Sequence, residues 1–449
     1  MEFTFKDRER EIRELTKGVC LNYVAFWTKT DLKKSWNLFS ITKGSGTGKT
    51  RLAISTLQLV RNELEKNRQG YLTLISKNLK KPTNTEEVGT KIFDSLVGSI
   101  RIDDLPSTLY IDLSNGDYIQ DWTMAKSMEE VFLFYLACKT FFPCTKVNII
   151  RAKIKEEGFP KQFTLETVAT AIRQHHRLGP EETLTIVCNL DEYQTKLSDQ
   201  DIDILLNKKD QKRQIFVRRM AEAVMSVCTS LTNLKEGIHL IPIFSGTLSM
   251  AYLGIFPATH YPLVSISVGP ITSESSLKIV NASLKGEVQE NVQQSLVESM
   301  GDIPRALEYL VSVIRAKNHQ GNPKTMFNQT VNLISSKYGI SSSPLTTKEL
   351  KILMQLCLTG KEVSNFQMID GKPLGSLVEM GVVFQKPSPT NQNLFQIQIP
   401  LVFLVAFNRV LQLFSSQFVT YRPIVKFQEM EQFGMDFEEF ENNPLWISE

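Results

Sequence analysis

Residues 37–42, NLFSIT, run apolar into a glycine-rich turn, KGSGTGKT (43–50), and the chain leaves that turn as RLAISTLQLVRNELEKN (51–67). In that last segment Leu52, Ile54, Leu57, Val60 and Leu64 recur at helical spacing. A strand that turns directly into an amphipathic helix is the first half of the crossover that parallel strands need. Later runs agree. ETLTIVCNLDEYQ (182–194) and GIHLIPIFSGTLSM (237–250) are apolar at successive positions rather than at alternate ones, as befits strands covered on both faces. GYLTLIS (70–76) and STLYIDLS (107–114) read as further strands, and residues 127–178 as largely helical. The expected fold class is α/β, a parallel sheet wrapped by helices.

A chain of 449 residues exceeds what one core supports and predicts two or three domains. Its 42% hydrophobic and 22% charged content is that of a globular protein, and a net charge of +3 favours no polyanionic partner. Cys20, Cys138, Cys144, Cys188, Cys228 and Cys357 include no C-x-x-C pair, which suits a reducing compartment better than a disulfide framework. The N-terminus, MEFTFKDREREIREL, is charged from its sixth residue, unlike a secretory signal. The most apolar run, IPLVFLVAF (399–407), is less than half of the roughly 20 residues a membrane span requires. A soluble protein, cytoplasmic or nuclear and without membrane partners, is expected.

The parallel-sheet core is expected over 1–268, with a helical insertion at about 127–178. From about 270 the pattern becomes helical (SSLKIVNASLKGEVQENVQQSLVESMGDIPRALEYLVSVIRAKN), and 269–340 reads as a helical lid. Residues 341–424 combine a helix (TTKELKILMQLCL), a short helix around LGSLVEM, and two strands, GVVFQ and LFQIQIP, joined by KPSPTNQN. Helices followed by a hairpin suggest a winged-helix module. In 425–449, Met430, Phe433, Phe437 and Phe440 form the apolar stripe of an acidic amphipathic helix.

The glycine-rich turn matches G-x-x-x-x-G-K-[ST] except that Lys43 stands at the first glycine position. In a phosphate loop the backbone N–H groups of Gly44, Ser45, Gly46, Thr47 and Gly48 would face a nucleotide phosphate at a helix start. Lys49 would reach the terminal phosphate oxygens and Thr50 would ligate Mg²⁺. Asp191 and Glu192 end a buried strand further on. Asp191 would hold Mg²⁺ through water, and Glu192 would polarise the attacking water as a general base. Ser245 or Thr247, in FSGTL at the end of another strand, is the expected polar sensor; helix capping is the plainer role for either. In GDIPRALEYL, Pro304 suits a first helical turn and sets Arg305 near the helix start, where it could fold back on the γ-phosphate.

The order FKDREREIREL, KGSGTGKT, LYIDLSN, LDEYQ, FSGTLSM, GDIPRAL, then the winged-helix-like segment and FEEFE, resembles the P-loop NTPase of Crinkler effectors and retrotransposon-hot-spot proteins. These are relatives of the STAND and origin-recognition ATPases. The resemblance spans about 3–441 and implies a core with an additional catalytic-Glu strand, then lid and winged helix. It implies ATP with Mg²⁺: Lys49 and Thr50 on phosphate and metal, Asp191 on metal, Glu192 activating water, Arg305 as lid sensor, and residues around Asp7–Glu9 near the adenine.

Other features carry less. KKDQKRQIFVRR (208–219) reads as a solvated helix face, or as a DNA contact or arginine finger through Arg213 or Arg218. The short helix of the winged-helix segment has only Lys372 on or beside it, so an intramolecular regulatory role is favoured there over major-groove readout. His175 and His176 read as ordinary helix residues. The function implied is an ATP-hydrolysing regulatory switch that gates a protein or DNA interaction, with self-association or a protein partner engaged through the lid and winged helix. The competing functions are a non-hydrolysing nucleotide-binding scaffold and a DNA-binding protein built on the same fold.

Overall fold

The computed structural model describes residues 7–29, 32–42, 46–79, 85–102, 107–113, 127–157, 164–192, 215–234, 236–246, 261–284, 290–316, 322–337, 345–364, 367–374, 383–387 and 394–411. They divide into two units. One comprises Lys6–Gly269 and Val363–Gln385; the other comprises Met1–Phe5, Pro270–Glu362 and Lys386–Glu449.

The first unit is built on five strands: β1 (Leu38–Thr42), β2 (Thr108–Asp112), β3 (Leu184–Asp191), β4 (Ile238–Ser245) and β5 (Leu263–Ser267). All pair in parallel, in the order β2-β3-β4-β1-β5. Every residue of β1, β3 and β4 is buried, so both faces of the central strands are covered and the unbroken apolar runs are explained. Pro242 sits inside β4, a central strand, where proline normally removes a ladder bond. Gly246 N–H donates to Ile41 O at 3.1 Å. Counting back by twos, the N–H that residue 242 lacks would face β1 just ahead of its first residue, Leu38, and no ladder bond is lost.

Register places side chains by face. Tyr110, Asn189, Ile243 and Phe39 lie side by side on four strands, and so do Asp112, Asp191, Ser245 and Ile41 two residues later. With a side-chain period of 2, all eight share one face. Helix α1 (Glu9–Thr28) packs over that face, with Gly18 against the Phe39 ring: a Cβ on Gly18 would come within 2.5 Å of Phe39 Cε1. The insertion is helical over Met128–Phe141, Val147–Glu157 and Leu165–His175. His175 and His176 close its last helix edge-to-face, 5.4 Å apart.

One expectation is corrected. GYLTLIS is not a strand but part of a helix, Arg68–Asn78. Its buried residues are Tyr71 and Ile75, four apart, and Tyr71 OH donates to Glu63 Oε1 at 3.2 Å. A pair spaced by four satisfies the period of a helix as well as that of a strand, and packing on α1 and on Thr85–Ser99 decides for the helix.

In the other unit, helices run over Ser273–Leu284, Glu290–Ser299, Pro304–Ala316, Pro323–Lys337, Thr347–Thr359 and Leu401–Leu411. Pro304 and Pro323 occupy first helical positions, and Thr346 with Glu349 forms a capping box. The apolar run 399–407 enters the last of these helices, which packs on Pro323–Lys337. Phe395–Gln398 is a short strand of this unit. Residues 375–380 of the expected short helix, and all of 425–449, lie outside the described residues. No helix among the described residues is long and apolar enough to cross a membrane.

Within the first unit His239 is fully buried. The rings of Tyr23, Phe26 and Trp36 lie 5.0–5.5 Å from it, and its Nδ1 is 3.2 Å from Thr185 Oγ1. Burial pushes its pKa down from 6.5 to about 3. Because the folded value lies below the unfolded one, the unfolded chain takes up the proton first, and stability is lost as pH falls below about 6.5. At about 1.4 kcal/mol per pH unit, wild type is expected to lose about 2 kcal/mol more than His239→Gln between pH 7.5 and pH 5, measured by urea denaturation at both pH values.

Candidate nucleotide-binding site

The C-terminal ends of β1, β3 and β4 and the helix after β1 bring Lys49, Thr50, Asp191, Glu192 and Ser245 together. Gly46 (φ +79°) and Gly48 (φ +98°) hold left-handed backbone that only glycine adopts without strain, and Gly48 caps the helix Lys49–Ile54. Thr50, in the first turn of that helix, donates from Oγ1 to Asp191 Oδ2 at 2.8 Å across 141 residues of sequence. Asp191 is 2% exposed and receives two further donors. Tyr110 OH on β2 reaches the same Oδ2 at 2.7 Å. Ser245 Oγ on β4 reaches Oδ1 and also lies 2.9 Å from Asn189 Oδ1. Three hydroxyls from three elements thus hold one buried carboxylate.

Lys49 is buried beside both acids. Burial pushes its ammonium pKa down, while Glu192 and then Asp191 act to restore it. Glu192 leaves β3 in the left-handed region (φ +53°), with its N–H still donating to Ser245 O at 2.8 Å. Such backbone costs a non-glycine residue about 1 kcal/mol and clusters where function requires it. Tyr110 is shifted upward by burial and then by Asp191, so the phenol remains a protonated donor. Arg8, before α1, is buried too. Its Nη2 donates to Thr47 O at 3.1 Å and to Gly269 O at 2.7 Å, which fastens the loop backbone to the end of the core.

Not every expected residue joins this cluster. Lys43, Gly44, Ser45, Thr247 and Arg213 lie outside the described residues. Arg218 pairs with Glu222 one helical turn on, at 2.9 Å. Arg305 belongs to the other unit, where it is 55% exposed with Glu308 3.4 Å away. The GDIPR segment around it has a structural task as well. Asp302 accepts from Ser273 Oγ at 2.8 Å and Ser276 Oγ at 2.7 Å, and Gly301 (φ +62°) leaves room for the Pro400 ring. Tyr110 and Asn189 were not singled out by sequence, and Arg8 was included only in the Asp7–Glu9 segment, without a role of its own. The signal that could have found Tyr110 is its spacing of two from Asp112 in LYIDL, which puts two polar side chains on one face of β2.

A five-stranded parallel sheet in this order has β4 inserted between the strand that enters GTGKT and the strand that ends in Asp191. With a Thr50–Asp191 contact below it, this is the core of an α/β P-loop NTPase. No family model matches the chain, and no curated protein matches it. Among solved structures, the chain is similar to the Walker-type ATPase PABY2304 of Pyrococcus abyssi, with a TM-score of 0.43 and 14% identity over 89% of this chain and 95% of that one. It is also similar to the Aeropyrum pernix Orc1 protein in complex with DNA (0.35, 14% identity, 92% and 96%) and to Cdc6p from Pyrobaculum aerophilum (0.29, 14% identity, 92% and 96%). The strand order and the site contacts carry the fold assignment.

Ser245 has one proton to donate, so removal of its hydroxyl leaves one of Asp191 Oδ1 and Asn189 Oδ1 short of a donor in a fully buried position. Ser245→Ala is expected to cost about 1–2 kcal/mol, read as a lower denaturant midpoint with an unchanged slope.

Proposed function

We propose that the chain is an ATP-binding, Mg²⁺-dependent ATPase that works as a regulatory switch of the Crinkler/STAND type, its nucleotide state gating a protein or DNA interaction. The observation that carries this reading is the Thr50–Asp191 hydrogen bond. It joins the hydroxyl that follows GTGK to a carboxylate at the end of a central strand, with a buried lysine alongside. A hydroxyl and a carboxylate are hard oxygen donors of the kind Mg²⁺ takes when nucleotide phosphates and water complete its shell. Thr50 and Asp191 would hold the ion there, and it would supply charge neutralisation on the β- and γ-phosphates.

In this reading the backbone from Gly44 to Gly48 receives a phosphate, Lys49 adds a fixed positive charge, and Glu192 accepts the proton of the attacking water. Ser245 keeps Asp191 oriented, with Thr247 as the second sensor at that strand end. Residues 269–340 act as the lid that carries Arg305, and 341–424 as a winged-helix-like regulatory module. DNA and a protein partner are the interactions to test.

The three-way comparison of wild type, Lys49→Ala and Glu192→Gln separates this switch from a non-hydrolysing scaffold. Wild type is expected to bind and hydrolyse ATP with Mg²⁺. Lys49→Ala should bind ATP about 10- to 100-fold more weakly, as loss of a charged hydrogen-bond donor requires. Glu192→Gln should bind as wild type does and turn over at least about 100-fold more slowly. Binding without turnover by wild type, with or without DNA, would contradict the switch and leave the scaffold.

A further inference from the structure

We propose that Tyr110 is a positioning residue that sets the Mg²⁺ requirement of nucleotide binding through Asp191; the inference rests on the nucleotide reading above. Two donors share Asp191 Oδ2: the Thr50 hydroxyl at 2.8 Å and the Tyr110 phenol at 2.7 Å. They differ in what they can do next. Thr50 can offer an Oγ1 lone pair to a cation while its O–H still donates to Asp191, so its position follows the metal. Tyr110 ligates nothing, and it is the donor on Oδ2 whose place the metal does not set. With Ser245 on Oδ1, it keeps the carboxylate in one orientation while the metal shell assembles.

The phenol is well placed for this by the fold. Tyr110 stands in register with Asn189, and Asp112 with Asp191, so Tyr110 sits diagonally from Asp191 on the same face of neighbouring strands. The strand pairing, rather than a mobile loop, sets its distance. Partners that orient a metal-binding carboxylate are worth roughly 10- to 100-fold in metal affinity.

Tyr110→Phe removes one hydroxyl and keeps the ring, so the sheet is retained and circular dichroism and thermal melting verify this. ATP binding is then measured by equilibrium dialysis across a Mg²⁺ titration and in EDTA. The variant is expected to need roughly tenfold more Mg²⁺ for half-maximal ATP binding, with its affinity for ATP in EDTA unchanged. In an Asp191→Asn background the same substitution should shift the Mg²⁺ midpoint less than twofold. A Mg²⁺ requirement in Tyr110→Phe equal to or lower than wild type, beside clear Mg²⁺ dependence in wild type, overturns this inference alone. So does a shift that persists without the Asp191 carboxylate. Failure of wild type to bind ATP in Mg²⁺ overturns it together with the nucleotide reading.

Discussion

Burial of an ionised carboxylate costs several kcal/mol unless charge and hydrogen bonds replace the lost water, and Asp191 is 2% exposed. What replaces the water comes from every side: Thr50 from the helix after β1, Tyr110 from β2, Ser245 from β4, and the buried Lys49 ammonium close by. These groups meet only when four strands are in the observed register, since Asp112, Asp191, Ser245 and Ile41 lie abreast. The sheet therefore creates the site, and a site left half assembled would in turn penalise the sheet.

The chemistry was more legible than the arrangement. GTGKT, the acidic end of TIVCNLD and the serine end of IPIFS could be read because strands buried on both faces are apolar throughout, so a polar residue at their ends stands out. Strand order was not legible. Nothing in the residues says that β4 lies between β1 and β3; that follows from long crossovers whose packing is decided by the whole unit. Tyr110 escaped notice because tyrosine is an ordinary strand residue, and only its register opposite Asn189 reveals its partner. The misread segment at 70–76 failed for a definite reason: Tyr71 and Ile75, four apart, fit both periods.

Arg8 and the GDIPR segment show how a motif can carry structure and function at once. FKDREREIREL contains a guanidinium that holds the Thr47 and Gly269 carbonyls, a task that neither amphipathicity nor charge count reveals. In GDIPR, Gly301 leaves room for the Pro400 ring, Asp302 holds the Ser273 and Ser276 hydroxyls, and Pro304 starts the helix. Arg305 is the residue of that segment left exposed, and a functional role there depends on the nucleotide reading.

The central claim is that the Thr50–Asp191 pair anchors a metal–nucleotide complex on the GTGKT turn. A crystal structure of the protein soaked with Mg²⁺ and a non-hydrolysable ATP analogue tests it most directly. The account predicts a phosphate against the N–H groups of the turn and beside Lys49, with the metal next to Thr50 and within one water of Asp191. An empty turn at saturating analogue, or nucleotide bound elsewhere on the chain, would contradict it.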